Sequence, residues 1–179
     1  MDKMTKRKSA ALTVSLIGIM AATIECAKLA LSFLPNVEAV TLLTALYAYV
    51  FGWAGVLGAV VFVAIEPLIW GVNTWVITYF IYWPLVAIVF LLLGRARVKN
   101  RFALAGVACL LTVFFGVLSS LVDIGLFTGN YDNFFYRFSI YFVRGIGFYA
   151  IQLACNAVLF PLLFPLLSGK LKGIRKRFL

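Results

Sequence analysis

The sequence has no histidine, only six acidic residues and only three cysteines among 179 positions. Each shortage removes a class of chemistry. Without histidine, the chain lacks the side chain that most often acts as a general base. Cys26, Cys109 and Cys155 stand singly inside apolar segments with no CxxC pair. They read as small packing residues, and neither a disulfide framework nor a metal site is indicated. The HExxH, GxSxG and Walker A patterns are missing, as is any Asp-rich phosphate–magnesium motif. No catalytic residue, cofactor or self-powered transport is therefore expected. Linkers rich in Pro, Gly or Ser and low-complexity tracts are also absent, which points to one unit over residues 1–179.

Charge is scarce as well, at 12% of residues, where soluble domains carry about 25%. Apolar residues fill the space: 64% of the chain is hydrophobic and the mean hydropathy is +1.06. A water-soluble core of this size cannot hide that much apolar surface, so lipid must solvate much of it. The chain reads as an integral membrane protein. Its apolar runs are continuous where a transmembrane barrel would alternate, so the spans are helices. Crossing the hydrocarbon takes about 20 residues, fewer where neighbouring protein buries the ends. The predicted fold is an all-α six-helix bundle, with spans at roughly 10–34, 38–51, 53–69, 75–94, 102–127 and 136–160. The apolar run that follows Lys3, Lys6, Arg7 and Lys8 exceeds a secretory h-region and is read as a retained first span. After Pro161 and Pro165 the chain is expected to leave the bilayer as a basic cytoplasmic tail, 168–179.

The placement of charge supports this layout independently. Six spans put both termini and the fourth loop on one side. Thirteen of the sixteen basic residues fall there: the N-terminal four, then Arg95, Arg97, Lys99 and Arg101, then Lys170, Lys172, Arg175, Lys176 and Arg177. The positive-inside rule makes that side cytoplasmic, with both termini inside a cell membrane. The net charge of +10 then reflects topology and attraction to anionic lipid, and nucleic acid is not an expected partner. Five of the six acids, Glu25, Glu38, Glu66, Asp123 and Asp132, map to the outer half. Ionisable groups facing lipid cost several kcal/mol, so a polar cluster open to the outside is expected.

Three outer loops converge on that cluster: "LPNVE" (34–38), "WGVNTW" (70–75) and "DIGLFTGNYDNFFYR" (123–137). The candidate substrate-binding residues are Asn36, Glu38, Glu66, Trp70, Asn73, Trp75, Asp123, Tyr131 and Arg144. Aromatic faces suit stacking on a flat heteroaromatic ring, while carboxylates and amides fix its polar edge. A cationic ring gains further from the aromatic faces and from Glu66. Each residue has a plainer role beside this one. Glu66 would otherwise form a structural ion pair with Arg144 or Lys28. Glu25 and Lys28, three apart on helix one, would neutralise each other. Trp53 and Trp83 belong to an interfacial belt, and Gln152 and Asn156 serve as interhelical hydrogen-bond glue. Ala11, Ser15, Gly18 and Ala22 form a small-residue stripe on helix one, suited to close packing on another helix inside the bundle or beyond it.

At this point the chain resembles the substrate-binding S components of energy-coupling factor (ECF) transporters, which import vitamins and related micronutrients. The carriers of the resemblance are "LPNVEAVTLLTALYAYVFGWAGVLGAVVFV" (34–63), with a short second helix and the Gly52/Gly55/Gly58 turn, and the stripe of helix one. The resemblance implies a small-molecule micronutrient bound from outside, a transmembrane coupling subunit docked on helix one, and two cytoplasmic ATPases. In that family an Ala-x-x-x-Ala motif docks; here Ala11-x-x-x-Ser15 and Gly18-x-x-x-Ala22 stand at the matching positions. The excess of outer carboxylates leans towards a cationic or neutral nitrogen heterocycle, such as a thiamine-like or pyrimidine-like compound, while Arg137 and Arg144 would equally receive a carboxylate or phosphate. The alternative functions are a non-transporting membrane scaffold or assembly protein and a stand-alone small secondary transporter.

Overall fold

Every regular element in the computed structural model is helical among the residues described, 3–127 and 132–178. In chain order these are α1 (Lys3–Leu31), α2 (Val40–Phe51), α3 (Trp53–Trp70), α4 (Trp75–Arg95), α5 (Arg101–Val122), a π-helical turn (Asp123–Phe127) and α6 (Phe134–Phe178). Five helices are long and apolar enough to cross a membrane, and α2 is a shorter apolar sixth. Large apolar side chains stand out from the bundle, among them Leu68 at 84%, Leu110 at 71% and Val14 at 70% exposure. Apolar surface on that scale is stable against lipid and not against water. The chain is a multi-pass helical membrane protein.

The shortest helix is the most enclosed. Ten of the twelve residues of α2 are buried, because it packs against α1, α3, α4 and α6 together. At 1.5 Å per residue α2 is only about 18 Å long, well short of a bilayer core of about 30 Å. The connection 32–39 between α1 and α2 is exposed at residues 32–35 and partly buried at 36–39. At the other end α2 turns into α3 through Gly52 alone, whose φ of +66° suits glycine. A Cβ on Gly55 would collide with the backbone of Tyr47 and Ala48, so this glycine lets the two helices close tightly.

Local chemistry accounts for two helix starts. The side chain of Asn100 accepts hydrogen bonds from the Phe102 and Ala103 amides at 3.0 and 3.3 Å, which caps α5. Ahead of α2, Glu38 accepts from the Thr41 amide at 2.9 Å and from the Thr41 hydroxyl at 2.6 Å. Its charge there is also favourable to the helix dipole.

The observed helices fall within a few residues of the expected segments except at the two ends of the chain. The first helix starts at Lys3, earlier than residue 10. The sixth does not stop near 160 but runs unbroken through Pro161 and Pro165 to Phe178. The tail at 168–179 is therefore helical as far as it is described. Aromatic packing holds that segment: Phe160 and Phe164 are buried and lie 5.5 and 5.9 Å from Phe90, while Tyr49 meets Phe164 edge-on at 5.2 Å. Each proline forfeits one backbone hydrogen bond, and neighbouring helices make that tolerable. With 45 residues, α6 is about 67 Å long. Its last turns are tied to the end of α2, where Arg175 donates to the Val50 carbonyl at 2.7 Å and Lys172 lies 4.9 Å from the Tyr49 ring centroid. Together with Arg95, Arg97, Lys99 and Arg101, these residues make one pole of the bundle basic.

Candidate functional site

The opposite pole holds a cavity of about 340 Å³. Its rim is the 32–39 connection, with Asn36 and Glu38 among the lining residues. One wall is the C-terminal end of α3, with Glu66 and Trp70. Another is α4, which presents Trp75, Tyr79 and Trp83, and α6 closes it with Phe148 and Gln152. The α4 wall follows from spacing: positions 75, 79 and 83 are four apart and share a helix face. Trp75 meets Tyr79 edge-on at 4.9 Å and Tyr79 meets Trp83 at 5.7 Å, forming an aromatic ladder into the bundle.

Glu66 is completely buried, and one of its carboxylate oxygens bonds the Lys28 ammonium from α1. The other oxygen, Oε1, accepts no hydrogen bond, and neither does Glu25 Oε2, the two carboxyl groups being close enough to share one, while the buried indole N–H of Trp83 has no partner. An unpaired acceptor and an unpaired donor on the wall of one cavity are what a bound polar molecule would satisfy. Lys28 is one-quarter exposed and lies among three rings, with Nζ 5.0 Å from the Trp70 centroid, 5.4 Å from Tyr79 and 5.9 Å from Trp75. Glu25 is buried behind this cluster. It accepts the Trp70 indole N–H at 3.4 Å and interacts with Glu66 electrostatically. On the rim, burial pushes the Glu38 carboxyl above its ordinary value, against the hydrogen bonds from Thr41 and the Val40 amide. Glu66 thus stands between the Lys28 ammonium and the Glu25 carboxyl.

Of the residues singled out in the sequence, Asn36, Glu38, Glu66, Trp70 and Trp75 come together here. Asn73 is exposed on the 71–74 loop, where its side chain accepts from the Thr74 amide at 2.6 Å. Asp123 opens the π-helical turn and Arg144 is exposed on α6; neither lines the cavity. Tyr131 lies outside the described residues. Glu66 takes Lys28 as its ion partner, so Glu25 and Lys28 do not neutralise each other as expected. Trp83, expected in an interfacial belt, is buried against Phe62 and the cavity. Gln152, expected as interhelical glue, also lines the cavity, whereas Asn156 does serve as glue and donates to the Thr112 hydroxyl at 2.9 Å. Tyr79 was missed, although its spacing from Trp75 and Trp83 was the available signal. Comparison of the chain with protein-family models, curated proteins and solved structures finds no match.

The stripe of α1 has its own setting. Ala11, Ser15, Gly18 and Ala22 are all exposed, and nothing lies within 4 Å of where a Gly18 Cβ would stand. Beside it runs a second, apolar cavity of about 330 Å³, lined by Ser15, Ile19, Tyr47, Phe51, Leu171 and Ile174 among others.

Proposed function

We propose that this protein is the substrate-capturing membrane subunit, or S component, of an ECF-type importer for a vitamin or related small micronutrient. The observation that carries this reading is the cavity itself, where a fully buried carboxylate and an aromatic ladder meet beneath the 32–39 connection. Small-ligand sites combine an apolar, aromatic lining with a few placed polar groups, and they run from about 300 Å³ upward. The segregation of basic residues to the far pole supports a cytoplasmic placement of that pole and of both termini in the cell membrane, so the cavity opens outward. Substrate enters from outside and is passed to a transmembrane coupling subunit driven by two ATPases. The exposed stripe of α1 and the groove beside it support docking of that subunit there, since small side chains permit close helix approach.

Native mass spectrometry of the purified protein tests this reading through the mass of a co-purified small molecule. A thermal-shift screen against micronutrients is the companion measurement, with stabilisation by one compound expected and lost in Glu66→Gln and Trp70→Ala. If neither approach finds a ligand, the polar cluster is structural and a membrane scaffold becomes the better reading. Uptake without coupling subunits would instead favour a stand-alone transporter.

A further inference from the structure

We propose that Trp70, Trp75 and Tyr79, with Glu66 beside them, form a cage for a small organic cation, and that Lys28 is the tethered cation this ligand displaces. The inference rests on the capture reading above and names its class of substrate.

A salt bridge alone would satisfy the charge of Glu66. The Lys28 ammonium instead lies within 6 Å of three ring centroids drawn from two helices, the range over which an aromatic face attracts a cation. Trp70 is held in place by its bond to Glu25. The ring cluster is therefore arranged around a positive charge, and Lys28 is the charge that occupies it in this structure.

The two ends of the ion pair differ in freedom. Glu66 is fully buried on α3, while Lys28 is one-quarter exposed and sits on a flexible four-carbon stem. Lys28 can leave, and Glu66 cannot follow it. Once Lys28 leaves, Glu25 and Glu66 face each other, and only a shared proton or another cation can balance the pair. A neutral ligand supplies no charge to that pair, and an anion would oppose it. A cation restores the balance and satisfies Glu66 Oε1, which the lysine leaves unpaired.

The test uses the full-length protein in detergent, with tryptophan fluorescence titrated by choline and by its uncharged tert-butyl analogue, neohexanol. Lys28→Met should tighten choline binding roughly tenfold or more and leave neohexanol unchanged. Choline should also raise the melting temperature of this variant more than that of the wild type. A folded Lys28→Met protein that binds choline no better, or binds neohexanol equally well, overturns the proposal; so does a failure of choline to bind either protein. Should the variant not fold, amine acylation of the wild type, read by peptide mass, decides. Increased labelling of Lys28 at saturating choline supports displacement, and unchanged labelling overturns it. An anionic micronutrient that co-purifies and is lost in Lys28→Met would overturn the cation cage while leaving capture intact. Absence of any small-molecule ligand removes both.

Discussion

The Lys28 ammonium on α1 crosses to Glu66 on α3, while Glu25, one turn away on Lys28's own helix, accepts from Trp70. The pairing runs between helices, so it welds α1 to α3 beside the cavity. Removing Lys28 strands a fully buried carboxylate, whereas removing Glu66 strands an ammonium that still reaches water and three rings. Breaking a buried pair from one side costs about 3–5 kcal/mol. Because Lys28 is partly exposed, Lys28→Met should lose about 3 kcal/mol and Glu66→Gln clearly less. The double variant should recover most of the loss. Thermal unfolding in detergent checks the order, and equal losses from the two single changes would contradict it.

Two glycines should respond in opposite ways to gaining a methyl group. At Gly55 the new Cβ meets the Tyr47 backbone, while at Gly18 it meets nothing. Gly55→Ala should destabilise by about 1–3 kcal/mol through overpacking, and Gly18→Ala should be neutral or slightly stabilising. Gly18→Leu should likewise fold and bind ligand as before. If the docking face is where we propose, it should nevertheless fail to co-purify with the coupling subunit; unchanged assembly would remove that face from consideration.

The Thr112–Asn156 hydrogen bond joins α5 to α6 where both side chains are buried. Thr112→Val leaves the Asn156 amide without its partner and should cost about 1–3 kcal/mol. Pairing it with Asn156→Leu removes the second polar group and should restore much of the stability. Melting temperatures of the single and double variants decide, and a double variant worse than the single one would argue for a function of Asn156 beyond packing.

Glu38 makes stability depend on pH in a definite direction. Its carboxyl is raised in the folded protein by burial, so the fold favours the protonated form. The contribution is complete below the ordinary carboxylate range and is lost as pH rises through the raised value. Going from about pH 7 to about pH 4, the wild type should therefore gain melting temperature relative to Glu38→Gln. A gap that is constant over this range would show that the Thr41 hydrogen bonds offset burial completely.

Composition determined that this chain lives in lipid, because no folded globule of its size can bury so apolar a sequence, and the continuity of its apolar runs determined that it is helical. The charge pattern also separated a basic pole from an acidic one, since charged side chains in a membrane protein are confined to ends and interior. Five of the cavity residues, Asn36, Glu38, Glu66, Trp70 and Trp75, were legible for that reason: they are polar or amphipathic groups beside predicted helix ends. The tertiary structure decided which groups meet. Lys28 chooses between Glu25 and Glu66 according to the packing of α1 on α3, a relation between segments 38 residues apart that no local spacing encodes. Trp83 and Gln152 read as belt and glue until the short α2 leaves a hollow for them to line. Pro161 and Pro165 read as a helix end until Phe90 and Tyr49 pack against the aromatics beside them. Local sequence sets what each residue prefers, and long-range packing selects which preference is met.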